Sequence, residues 1–308
     1  MESANNNPHG SAGKGRRLVR WFCLAVVVAV VLVAVAVLRN NYSLHEPSRS
    51  AFDAQMDHAL DTATQWIAEN PVVSERNVTM MYMISDMESM SHDPRLQTVL
   101  DRFRKNYLTH VPTQFDLVWL RLVDPNASMP VVYVPEMGDN IIDFVWFAHA
   151  IAPDKIVLAD ADRANLFSPT KYIWGTRQKQ LLGLAIYRQH NGGTPELDRT
   201  IDYVARGVAR DAHFDIRLTD SYIQRTAFLL AAGRPDLVRS RWVDRILDQQ
   251  NANGSWYACW YGWCRGVFEF SADYKTSPGG LGHATVQAAW ALMLLKYRYP
   301  EWINEHYR

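Results

Sequence analysis

The chain has 308 residues, 48% of them hydrophobic and 12% aromatic, with 32 basic and 32 acidic side chains that cancel. A neutral balance argues against a nucleic-acid footprint, which needs a basic surplus. The apolar fraction excludes disorder over most of the length, and three Cys are too few for a disulfide-dense scaffold.

Residues 1–13 are small and polar and read as a disordered tail. Residues 21–38 (WFCLAVVVAVVLVAVAVL) are all apolar. At about 1.5 Å per residue such a helix reaches across a hydrocarbon core. Lys14, Arg16, Arg17 and Arg20 precede it, which places the N-terminus in the cytoplasm and the body outside it. The run is longer than the apolar part of a cleaved signal peptide, so it reads as an uncleaved anchor, although Ala34 and Ala36 form an A-x-A pattern. The expected organisation is a cytoplasmic basic tail over 1–20, a transmembrane helix over 21–38 and an extracytoplasmic body over 39–308.

Helical spacing dominates the body. Phe52, Met56, Ala59, Leu60, Ala63, Trp66 and Ile67 form an i, i+3/i+4 stripe in a helix over 50–69. Further helices are expected at 76–90 and 94–108. Residues 115–135 contain FDLVWLRLV and MPVVYV, which read as strands or buried extended segments. A buried helix follows at 140–151, then helices at 169–190, 195–211, 219–232, 235–250 and 281–298, punctuated by Pro169, Gly192, Pro195, Gly233 and Pro235. Three stretches repeat one plan of amphipathic helix, polar loop and apolar helix, as stacked helical hairpins do.

Several residues carry candidate chemistry. Asp211, His213 and Asp215 lie on one short segment, where they suit metal ligation, acid/base work or a helix C-terminus. His283 follows Gly279, Gly280 and Gly282 at the start of an apolar helix, suiting a base or a packed ring. Asp139 and Asp273 are further candidate acids. Trp256, Tyr257, Trp260, Tyr261 and Trp263 cluster around Cys259 and Cys264. Aromatics so placed suit a sugar face, an apolar ligand or a lid. In an oxidising compartment the two Cys read first as a short disulfide loop, with zinc ligation, which lacks its usual second pair here, as the rival. No motif fixes a cofactor or a metal. Four Asn-x-Ser/Thr triplets begin at Asn41, Asn77, Asn126 and Asn253.

Gln250-x-x-x-Gly254-x-Trp256 resembles the Q-x-x-x-G-x-W element of the terpenoid-cyclase and prenyltransferase toroids. Residues 277–285 (SPGGLGHAT) also resemble those toroids. The cyclase D-x-D-D motif and the prenyltransferase Asp-x-Cys pair are both missing. A broader resemblance runs through Gln180-Leu181-Leu182, Ile201-Asp202-Tyr203, Asp220 to Gln224, Arg241-Trp242, Gln249-Gln250 and His283-Ala284-Thr285. It is to a family of secreted or lumenal proteins of unknown function that includes a thyroid-enriched vertebrate member. That resemblance implies export and an all-helical fold, and it supplies no activity. The expected fold is mainly α, an α/α-toroid-like body behind a membrane helix. Two functions are open: an enzyme acting on a glycan or another exported polymer, and a binding module that holds a partner, glycan or apolar ligand through residues 256–263.

Overall fold

A computed structural model of the chain describes residues 12–43, 47–70, 78–109, 121, 123, 142–168, 177–256 and 282–308. Twelve α-helices are named here in chain order. They are α1 (Ala12–Asn41), α2 (Arg49–Glu69), α3 (Val78–Ser91), α4 (Pro94–Thr109), α5 (Ile142–Ile151) and α6 (Asp160–Phe167), followed by α7 (Arg177–Asn191), α8 (Pro195–Phe214), α9 (Asp220–Ala231), α10 (Ser240–Asp248), α11 (Gly282–Met293) and α12 (Pro300–His306). No strand occurs among the described residues. Of the expected extended segment over 115–135, only Arg121 and Val123 are described, and both are helical.

The expected helices form, with shifted bounds that have local causes. Thr194 Oγ1 accepts from the Leu197 amide at 3.1 Å and Pro195 opens α8. Ser48 caps α2 in the same way. Gly192 and Gly233 take positive φ where α7 and α9 end. The helix expected over 235–250 is split. Pro235–Leu237 is a single 3₁₀ turn, Val238 and Arg239 are extended, and α10 begins at Ser240. The last long helix loosens into a π turn at Leu294–Arg298. The short helix α6 was not expected. Its C-terminal carbonyls at Asn165 and Leu166, with that of Ser168, are satisfied by the Gln180 amide from α7 at 2.8–3.2 Å, a partner remote in sequence.

The helices divide by composition. On α8 the buried positions are Leu197, Ile201, Val204, Ala205, Val208 and Ala212, a single stripe, while its outer face carries the Arg206–Asp202 pair. Helices α9 and α11 are buried on nearly every side. Apolar helices therefore pack in series: α5 on α7, α7 on α9, α9 on α11 and α11 on α3. Amphipathic helices pack against them, α8 on α7 and α9, and α2 on α11; α2 also packs on α4.

Helix α1 stands apart. From Leu18 to Asn41 it is long and apolar enough to cross a membrane, with a mean hydropathy of 3.1 in its most apolar window and none of that window buried. Its last two residues are different. Asn40 and Asn41 are 1% and 4% exposed. The Asn40 amide donates to the carbonyls of Ala212 (2.9 Å) and His213 (3.1 Å), and the Asn41 amide donates to His213 (2.8 Å). These are C-terminal carbonyls of α8, left without intrahelical partners. In return the Asn40 side-chain oxygen accepts from Tyr222 Oη at 3.1 Å and from the buried Arg245 guanidinium, and the Asn41 oxygen accepts from Trp242 Nε1 at 3.1 Å. The amide nitrogen that a sugar would modify in the Asn41 triplet is thus buried and engaged, whereas Asn253 is exposed.

The turn after α10 closes the body against α2. Gln250 Nε2 donates to the Ala59 carbonyl (2.8 Å) and Thr62 Oγ1 (3.1 Å) of α2, and to the Gly254 carbonyl of its own turn (3.0 Å). Its target is the middle of a neighbouring helix rather than a helix end. Trp256 is fully buried and its ring N–H donates to the Ile246 carbonyl at 2.6 Å. Gly254 has φ +85°, and a Cβ there would overlap the Thr62 carbonyl. Gly254→Ala combines left-handed backbone strain with overpacking, so it should destabilise the protein by about 3 kcal/mol. Denaturant melts of the two full-length proteins check this, and a loss under about 1 kcal/mol would refute it.

Candidate functional site

Three of the apolar helices begin at one place. Thr219 caps α9, its Oγ1 accepting from the Tyr222 amide at 3.2 Å. That leaves the carboxylate of Asp220, the first residue of α9, free of capping duty. The carboxylate turns instead to His283, the second residue of α11, with Oδ1 2.7 Å from Nδ1. Gln224, one turn along α9, donates its amide to Asp220 Oδ2 at 2.9 Å. Gln178, second in α7, donates to Gln224 Oε1 at 3.4 Å. Gln287, one turn along α11, places its amide 3.0 Å from His283 Nε2.

The protonation pattern follows from donor and acceptor types. A carboxylate only accepts, so His283 Nδ1 carries a proton toward Asp220. In the neutral ring Nε2 then holds the lone pair and accepts from the Gln287 amide. Asp220, Gln178, Gln224 and Gln287 are each under 5% exposed, while the His283 side chain remains 21% exposed. The arrangement therefore presents one part-exposed imidazole, oriented from beneath by a buried carboxylate. Such a pair has the donor and acceptor set that general acid/base chemistry uses, given a hydroxyl or water in place of Gln287 at Nε2. The ends of α9 and α11 also point their positive dipole ends at the same spot, which favours anionic character in whatever approaches.

The second cluster expected from sequence does not converge. Asp211 Oδ2 lies 3.8 Å from the Arg177 guanidinium, which crosses α8 where Gly207 has no Cβ. His213 stacks edge-on against Phe214 and faces the end of α1. Burial, then the nearby Arg239 charge, holds its imidazole below the ordinary histidine range. Asp215 pairs with Arg217 at 2.9 Å and Arg225 at 2.7 Å. Burial pushes its carboxyl up, but the two guanidiniums outweigh that and hold it below the usual carboxylate range. Among the described residues no three His, Cys, Asp or Glu side chains are placed to share a metal ion.

The aromatic expectation is only partly open to view. Trp256 is fully buried and packs as core. Tyr257, Trp260, Tyr261, Trp263, Cys259, Cys264 and Asp273 lie outside the described residues, as does Asp139. The Trp256 backbone amide donates to Thr285 Oγ1 at 2.9 Å, two residues past His283. Trp256 and Gly282, which flank residues 257–281 in sequence, are thus both at the first turn of α11.

His283 was legible as a candidate from its place behind three glycines. Its partners were not singled out, although a signal existed. Thr219 and Asp220 are adjacent cap candidates and only one is needed, and Asp220/Gln224 and His283/Gln287 are each four apart on a helix.

Asp215 has a pH signature. Its depressed carboxyl contributes stability that is present above the unfolded value near 3.9 and is lost as pH falls through the lower folded value. The melting temperature of the full-length protein should therefore drop as pH falls below about 4. In Asp215→Asn that drop should be shallower, and an unchanged acid limb would show that the Arg217–Asp215–Arg225 cluster is not formed.

Comparisons with family models, with curated proteins and with solved structures find no match to this chain.

Proposed function

We propose that the chain is a membrane-anchored enzyme whose helical body is an α/α toroid, with the N-terminal tail in the cytoplasm and the body outside it. On this reading α5, α7, α9, α11 and α3 form the inner wall, and α2, α4 and α8 belong to the outer one. The body then occupies an oxidising compartment, in which Cys259 and Cys264 pair. The reaction is hydrolysis or elimination on a glycan or another exported polymer. His283 Nε2 moves the proton, Asp220 holds the ring in its tautomer, and Gln224 and Gln178 hold Asp220. The observation that carries the proposal is the 2.7 Å contact between His283 Nδ1 and Asp220 Oδ1 at the shared start of two inner helices. A part-exposed imidazole bonded to a buried carboxylate is a general acid/base unit before substrate arrives. The aromatic-rich stretch over 257–263 follows directly on Trp256, close enough in sequence to that face to supply sugar-stacking rings.

The test uses the full-length protein in detergent against a panel of neutral and anionic glycans, reading release of new chain ends. Wild type should cleave at least one member. His283→Ala and Asp220→Asn should each lower kcat by about 10²-fold or more. Both variants should still melt cooperatively, with His283→Ala lowered because it strips a partner from the buried Asp220. Binding without cleavage would favour the non-enzymatic module, and undiminished cleavage by both variants would remove the dyad from the mechanism.

A further inference from the structure

The joint between α1 and the body encloses a second feature unrelated to the dyad. A cavity of about 580 Å³ opens where α1 ends, between the last turns of α8 and the segment leading into α10. Tyr42, Arg210, His213, Arg239, Trp242 and His306 are among its walls. Two of these are guanidiniums. Arg210 is exposed, and Arg239 is half-buried with its guanidinium 5.1 Å from the Tyr42 ring. The one carboxylate in the wall, Asp236, is held by Arg234 through bonds of 2.8 and 2.7 Å, so it does not cancel them. Burial, then the Arg239 charge, holds the His213 imidazole below the ordinary histidine range, and its ring adds hydrogen-bonding capacity to the wall.

The position of this cavity is fixed by the asparagine lock. Asn40 and Asn41 end the apolar helix and are bonded to Ala212 and His213, so these parts of α8 lie at the level where α1 leaves its apolar stretch. The residues directly after each partner are exposed aromatics, Tyr42 at 56% and Phe214 at 63%. Exposed aromatic rings beside basic side chains at the end of an apolar helix match the composition of a membrane–water interface. A free tether would leave the body's height above the bilayer undefined; four asparagine bonds to α8 and α9 define it.

We infer that this cavity is a binding site for the headgroup of an anionic phospholipid from the membrane that α1 crosses. The phosphate sits between Arg210 and Arg239, and Tyr42 and Phe214 rest at the glycerol level. The inference rests on α1 spanning a bilayer and is independent of any activity at His283.

Native mass spectrometry of the full-length protein in mild detergent tests it, with phosphatidylglycerol and phosphatidylcholine of matched acyl chains as probes. Wild type should retain phosphatidylglycerol roughly tenfold or more over phosphatidylcholine, since each arginine near an anionic surface contributes about fivefold. The Arg210→Ala/Arg239→Ala variant should lose that preference, and the corresponding double Lys variant should keep most of it. Equal retention of the two lipids by wild type overturns the inference whatever the variants do. So does full retention of phosphatidylglycerol by a double Ala variant that melts like wild type. Displacement of phosphatidylglycerol by inorganic phosphate at millimolar concentration would overturn the lipid assignment in favour of a free anion.

Discussion

A helix that ends inside a protein leaves backbone groups without partners, and they must be met by something else. In this chain the partners come from remote segments, and they decide how the helices assemble. Two asparagines at the end of α1 complete the C-terminus of α8 more than 170 positions away. Gln180 completes α6. The same two asparagines accept from Tyr222, Trp242 and Arg245, so one joint ties α1, α8, α9 and α10. An unpaired buried guanidinium or amide costs more than a single hydrogen bond contributes, so these polar links specify the assembly that the apolar faces only drive.

At the start of α9 the same need is met differently. Thr219 takes over the capping of α9, and this small local choice releases Asp220. A buried carboxylate is tolerated only with partners, and it finds His283 and Gln224. The polar cluster thus follows from how α9 and α11 start, and an oriented imidazole is its chemical product. The glutamine-rich shell contributes no charge of its own. Among the described residues the side-chain partners of Asp220 are His283 and Gln224, whereas two arginines hold Asp215.

The helices were readable because their signals are local. Thr194-Pro195 opens a helix, a glycine with positive φ closes one, and the apolar stripe of α8 repeats within a few turns. The Q-x-x-x-G-x-W element was equally legible, since Gly254 and Trp256 serve the turn they occupy. What resisted reading was each feature whose partner is distant. α6 depends on Gln180, and the division of 235–250 follows from an extended Val238-Arg239 step. The proximity of Asp211, His213 and Asp215 in sequence was misleading about space. At the end of α8 their side chains leave in three directions, toward Arg177, the α1 joint and the Arg217/Arg225 pair. His283 stood out from its own neighbourhood, but Asp220 becomes its partner only once α9 and α11 pack together.

The central claim is that Asp220 sets the proton on His283 Nδ1 and leaves Nε2 as the reactive atom. Long-range ¹H–¹⁵N spectra of the histidine rings in the full-length protein read this directly, with His283 assigned through His283→Gln. The account predicts a ring protonated at Nδ1, its proton deshielded by the short bond to the carboxylate, and loss of that signature in Asp220→Ala. A ring protonated at Nε2, or one indifferent to the Asp220 change, would contradict it.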